Sequence, residues 1–202
     1  MTHAVLAFLG WLAGCAPVAE PLPEGSGMVL EDVVADGAGW RLVAPRVALA
    51  ADTPRTARVA QPALRVDGAA GAPAWYVTAA ESTWDLRGHA ARFVGDVEVR
   101  RGDLRLRCRS LEARWREAAG GPVLDAMDAE GPVELSLATR TARADRAVLR
   151  PDAGVLDLRG AVRLSLDGGT MEGLEVTLHL DDARVACRGA AGAPCRVTLA
   201  AR

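Results

Sequence analysis

The chain has 202 residues, half of them hydrophobic and a quarter charged, which is enough apolar material for one substantial core. Its net charge of −2 and pI near 5.9 leave no basic footprint, so nucleic acid is excluded as a partner on electrostatic grounds. All 24 basic residues are arginine, and Lys, Ile and Asn are absent. That pattern reflects a nucleotide bias in the coding sequence, so a preference for arginine over lysine carries no functional signal here.

Residues 4–14 form an apolar run of 11, the length of a secretory hydrophobic region and short of the roughly 20 that span a bilayer. The run ends in Leu12-Ala13-Gly14-Cys15, which resembles the bacterial lipobox. The resemblance implies cleavage after Gly14 and acylation of the Cys15 thiol. The other reading is an ordinary signal or short anchor in which Cys15 is incidental. On the lipobox reading, residues 1–14 are a signal peptide, 15–27 a lipidated tether rich in proline and glycine, and 28–202 the folded domain.

From Met28 onward one pattern repeats: apolar, x, apolar, x, small, x, x, apolar, x, apolar. It occurs as Trp40, Leu42, Ala44, Val47, Leu49 and again as Trp75, Val77, Ala79, Ser82, Trp84. Leu104, Leu106, Cys108, Leu111, Ala113 follow, then Arg140, Ala142, Ala144, Ala147, Leu149, and last Gly169, Met171, Gly173, Val176, Leu178. Alternation with period two makes a strand with one buried face, and the slip of one residue after the small position is what a β-bulge produces. The small residues fall at 44, 79, 108, 144 and 173, in steps of 35, 29, 36 and 29, as stacked supersecondary units would.

A second motif, Gly, x, apolar, x, apolar, opens at Gly95, Gly131 and Gly160, with a degenerate copy at Pro62. Glycine there is expected to supply turns ahead of strands. Only 111–119 could be argued as helix; strand to Trp115 followed by a loop to Met127 accounts better for the longer 36-residue step. The expected fold is all-β, with eleven to fourteen short antiparallel strands in about five repeated units. One flat sheet of this kind would expose its whole apolar face, so the sheet must close on itself as a jelly roll, sandwich or solenoid.

No chemistry for catalysis stands out. His3, His89 and His179 are scattered, no metal-ligand spacing exists, and neither a nucleophile elbow nor a phosphate loop is present. The reading is a non-enzyme without cofactor or metal. Arg105, Arg107 and Arg109 share an outward strand face with Arg100 and Arg101 nearby; they form either an anion-binding strip or a solvated face paired with Glu98, Asp103 or Glu112. Trp40, Trp75, Trp84 and Trp115 take inward or strand-end positions and read as core and rim rather than a ligand cage. Cys108 reads as a small core hydrophobe, while Cys187 and Cys195 flank a Gly-Ala-Ala-Gly turn where an extracytoplasmic location would permit a disulfide.

The segments GDVEVRRGDLRLRCRSLEARW, GPVELSLATRTARADRAVLRPDAG and GAVRLSLDGGTMEGLEVTLHLDDARVACRG resemble the OstA-like proteins of the lipopolysaccharide transport bridge, LptA and LptC. WRLVAPRVAL and WYVTAAESTW resemble the start of the LptC branch. The resemblance implies a twisted β-jelly roll with an apolar groove for lipopolysaccharide acyl chains. It also implies edge-to-edge joining of jelly rolls into a periplasmic bridge, with an inner-membrane ABC transporter as a further partner. The groove positions expected from the alternation are Val97, Val99, Leu104, Leu106, Cys108, Val133, Leu135, Leu158, Val162, Leu164, Met171, Val176 and Leu178. The docking edges are expected near 28–34 and 196–201. Two other readings stay open: a structural repeat protein that polymerises through its edges without a ligand, and an assembly accessory at the outer membrane.

Overall fold

Period-two alternation with a small residue at each phase slip has one geometric solution, a set of long strands that all bend at the same level. The computed structural model describes residues 26–50, 56–68, 72–118, 121–182, 184–189 and 194–199. Within them the chain forms fourteen antiparallel strands: β1 (Ser26–Gly37), β2 (Trp40–Ala50), β3 (Thr56–Ala60), β4 (Ala63–Val66), β5 (Trp75–Thr78), β6 (Glu81–Asp85) and β7 (Ala90–Arg101), then β8 (Leu104–Ala118), β9 (Gly121–Leu137), β10 (Arg140–Arg150), β11 (Val155–Leu166), β12 (Gly169–His179), β13 (Val185–Arg188) and β14 (Arg196–Leu199). No helix occurs among the described residues. The expected signal peptide, Cys15 and most of the expected tether lie outside them; β1 begins at Ser26, two residues ahead of the expected start of the domain.

The long strands run through both layers of a jelly roll. The first half of β2 pairs with β4 and its second half with β3. The first half of β7 pairs with β6 and its second half with β5, and β12 likewise holds β14 along its first half and β13 along its second. The ladders of the long strands slip at one level, between Val94 and Val97, Arg107 and Ser110, Ala144 and Arg146, and Arg159 and Val162. Ala44, Ala79, Cys108, Ala144 and Gly173 all lie at this fold line. Large side chains are excluded where the layers converge, which is the physical content of the small position in the repeat. At Gly173 the space is taken by the Cys187 Sγ, which would stand 2.6 Å from an added Cβ.

Gly95, Gly131 and Gly160 supply the same bend on the intervening strands, with φ of 78°, 91° and 96°. They do not precede strands as expected but sit inside β7, β9 and β11, because the bend needed is in mid-strand and not at a hairpin end. The loop expected after Trp115 is also strand: β8 continues to Ala118 and β9 starts at Gly121. The residues that make the 36-residue step longer extend a hairpin.

One hydrophobic core runs between the layers from Leu42 to Leu178. Phe93, Leu156, Leu158, Leu164 and Val176 are fully enclosed, each contributing about 1.5–3 kcal/mol by burial.

Candidate functional site

Twelve of the thirteen expected groove residues are buried, from Leu158, Leu164 and Val176 at 0% exposure to Cys108 at 7%; Met171 is half-buried against them. The fold brings all thirteen into one interior, where they pack on one another. Burial also pushes the Cys108 thiol up to about 12, so it stays protonated and behaves as a small apolar group.

An open apolar cavity of about 380 Å³ adjoins this packed interior, lined by none of the thirteen. One wall comes from the first layer: Trp40 on β2, Leu64 and Val66 on β4, Trp75 and Val77 on β5. The facing wall comes from the second: Trp84 on β6, Leu86 and His89 in the following turn, Ala113, Trp115 and Glu117 on β8, and Gly121, Pro122, Leu124 and Met127 on β9. Leu64, Trp75, Val77, Trp84, Ala113 and Met127 belong to the core as well, so cavity and core are continuous.

Three of the four tryptophans are held by specific contacts. The Trp84 indole N–H donates to Ser82 Oγ at 2.8 Å, and its ring meets Phe93 edge-on at 5.9 Å and tilts against Trp115 at 5.5 Å. The Arg101 guanidinium stands 4.8 Å over the Trp75 ring. The Trp115 backbone N–H donates to the His89 carbonyl at 3.0 Å, and His89 Nδ1 lies 3.6 Å from Glu117 at the rim. Such a site offers apolar and aromatic contact and a polar rim, the composition of a pocket for a hydrocarbon group.

Reading the tryptophans as core and rim covered Trp75 and Trp84, which are 3% and 9% exposed, but missed that all four surround one space. A sequence signal did exist, since Trp40 and Trp75 open repeat units, Trp84 closes one and Trp115 lies two residues past the end of another, all at the outer margin of a layer.

Within the arginine strip, Arg100, Arg105 and Arg107 make a solvated, ion-paired face. Glu98 receives Arg105 at 2.7 Å, Arg107 at 3.0 Å and Arg100 at 3.2 Å. The hydrogen bond from Arg105 leads in holding the Glu98 carboxyl below its ordinary value, with Arg107 adding to it against the opposing effect of burial. Further along the same face Arg143 meets Glu134 at 3.1 Å and Arg163 meets Glu172 at 2.5 Å. Among the described residues no group of His, Cys, Asp and Glu could hold a metal ion. Cys187 and Cys195 are joined as a disulfide with their Cα atoms 6.3 Å apart, tying β13 to the start of β14.

The two sheet edges differ. β1 pairs with β2 alone and exposes Met28 and Val34, each at 54%. At the other end β13 and β14 pair with β12 alone, and Val197 and Leu199 are exposed at 55% and 77%.

Comparison with known proteins agrees with this architecture. The structure is similar to that of LptH from Pseudomonas aeruginosa, described as the LptA-homologous periplasmic component of the lipopolysaccharide transport device. The TM-score is 0.54 at 16% identity, over 63% of this chain and 94% of that one. No curated protein matches the sequence. The profile of the family described as LptA/(LptD N-terminal domain) LPS transport protein matches residues 76–184, more than half of the chain. The chain belongs to that lipopolysaccharide transport family.

Proposed function

We propose that this chain is a periplasmic carrier that shields lipopolysaccharide acyl chains between its two layers and passes them along a bridge of similar jelly rolls. The observation that carries the reading is the 380 Å³ apolar cavity, walled by four tryptophans and continuous with the core. Each methylene moved from water into such a space gains about 0.8 kcal/mol. The thirteen interior positions from Val97 to Leu178 would contact the chains once the layers part. Bridge neighbours add to β1 at one end and to β13 and β14 at the other, where backbone groups lack a second partner and apolar side chains are exposed. LptH is itself described as periplasmic, which supports that location here. The lipobox-like Cys15 supports a lipid anchor that holds the carrier at a membrane, the inner one if an ABC transporter supplies its cargo.

A photoreactive residue placed at Leu106 or Leu164 tests the reading. Adducts with lipopolysaccharide are expected, and a folded protein that yields none refutes it. The mutual packing of the thirteen residues favours a second reading, a repeat protein that polymerises through its edges with no ligand. Filaments of purified protein without adducts would support that one instead.

A further inference from the structure

β7 ends on a charge where its alternation calls for an apolar residue. Val97 and Val99 face inward and are buried, and Arg101, the next residue on that side, is half-buried at the end of the strand. Its neighbours Arg100, Arg105 and Arg107 stand on the outer face and share Glu98, at 3.2, 2.7 and 3.0 Å. The sheet separates Arg101 from that carboxylate. Among the described residues Arg101 pairs with no carboxylate, and its Nε–H is enclosed without an acceptor. An enclosed N–H on a permanent cation is costly unless an acceptor meets it, and a ligand anion would supply one.

The register places this group at the margin of the first layer, in the row that walls the tryptophan cavity. Trp40 pairs with Val66, and Val66 with Trp75. Arg101 lies over the Trp75 ring at 4.8 Å and pairs with Leu104, which pairs in turn with Leu137. Arg140 continues the row opposite Leu137, so this apolar margin carries two arginines. The facing wall carries Glu117, 3.6 Å from His89 Nδ1. The distribution of charge therefore draws an anion to the Arg101 side. Contact with Trp75 holds the guanidinium by its face and leaves its N–H edge for an oxyanion.

We propose, on the reading that the cavity takes an acyl chain, that Arg101 binds a phosphate at the head of that lipid. The tail lies among Trp40, Trp75, Trp84 and Trp115, and the phosphate stays at the margin on the guanidinium that covers Trp75. Arg101 thereby sets both the orientation of the lipid and its class. A lipid with a phosphate close to its acyl chain is preferred to an uncharged one.

Two probes with the same dibrominated acyl chain, which quenches tryptophan on contact, separate head from tail: a monoacylglycerol phosphate and the uncharged monoacylglycerol. The full chain should bind the phosphate form about tenfold more tightly at low salt, and the advantage should shrink as salt is raised. Arg101→Gln should lose that advantage and keep its affinity for the uncharged lipid. Arg100→Gln, the same loss of charge one residue away on the outer face, should keep the preference. Inorganic phosphate at the concentration of the lipid should displace nothing; displacement would assign Arg101 to a free anion and overturn the lipid head group. Equal binding of both lipids by the wild-type chain would overturn the phosphate site and leave the carrier reading intact. So would equal loss of both by Arg101→Gln shown to be folded by circular dichroism. Quenching by neither lipid would overturn the carrier reading and the phosphate site with it.

Discussion

Trp84 is the pivot of the aromatic wall, and its bond to Ser82 allows a sharp test of how that wall is built. Both residues are enclosed, at 9% and 1% exposure, and the indole N–H to Oγ distance is 2.8 Å. Trp84→Phe removes the donor and leaves a buried hydroxyl without it, at about 1–3 kcal/mol, on top of about 1 kcal/mol for lost ring contact. Ser82→Ala leaves the indole N–H without an acceptor, at a similar cost of about 1–3 kcal/mol. In the double variant both polar groups are gone, so neither is stranded, and the combined loss falls short of the sum by about 1–2 kcal/mol. Equilibrium urea unfolding followed by circular dichroism, with unchanged m values, measures the cycle. In a domain of this size a loss of 1 kcal/mol lowers the melting temperature by about 2–4 °C, well within reach of a thermal scan. Losses that add to within about 0.5 kcal/mol would refute the coupling and the claim that the hydrogen bond positions the Trp84 ring.

Three further outcomes follow from the same structure. Glu98→Gln should lower stability at neutral pH by about 1 kcal/mol. Because Glu98 has its carboxyl depressed in the folded state, its contribution is present above its unfolded value and fades as pH falls through the lower folded one. The gap between variant and wild type should therefore close in acid, and a gap that is the same at neutral and acid pH would contradict the ion-pair account. Cys108, with its thiol pushed up to about 12, should resist iodoacetamide in the native protein and label only after denaturation; rapid native labelling, read from the Cys108 peptide by mass spectrometry, would show the fold line to be open. Removing the disulfide by Cys187→Ser with Cys195→Ser should cost about 2–3 kcal/mol for its short loop and raise amide exchange first in β13 and β14. Unchanged exchange there would mean that those edge strands hold without the link.

The repeat was legible because three of its features are local: alternation, one slip, and a small residue at the slip. Together they placed the fold line at Ala44, Ala79, Cys108, Ala144 and Gly173 without any knowledge of which strands pair. Period two alone cannot tell a turn from a bend within a strand, so Gly95, Gly131 and Gly160 were expected one step out of place. The extension of β8 and β9 was hidden for a related reason, since Gly120-Gly121-Pro122 reads as loop and nothing local says that strands flank it on both sides. The cavity was invisible because it depends on contacts between layers. Trp40 and Trp75 face Trp84 and Trp115 only after the sheet has folded over. Of the two LptC-like segments, WRLVAPRVAL lies ahead of the matched residues 76–184 and WYVTAAESTW falls within them save for Trp75, while the three OstA-like segments fall almost wholly within them.

The central claim is that lipid is carried inside the jelly roll and not on its charged outer faces. β8 tests this directly, because Leu104, Leu106 and Leu111 face the interior while Arg105, Arg107 and Glu112 face solvent. Photoreactive residues placed at each of these positions in turn, with lipopolysaccharide present, should give adducts at the leucine positions and little at the charged ones, changing phase at the Cys108 slip. Adducts that favour the arginine positions, or that ignore the alternation, would contradict the account.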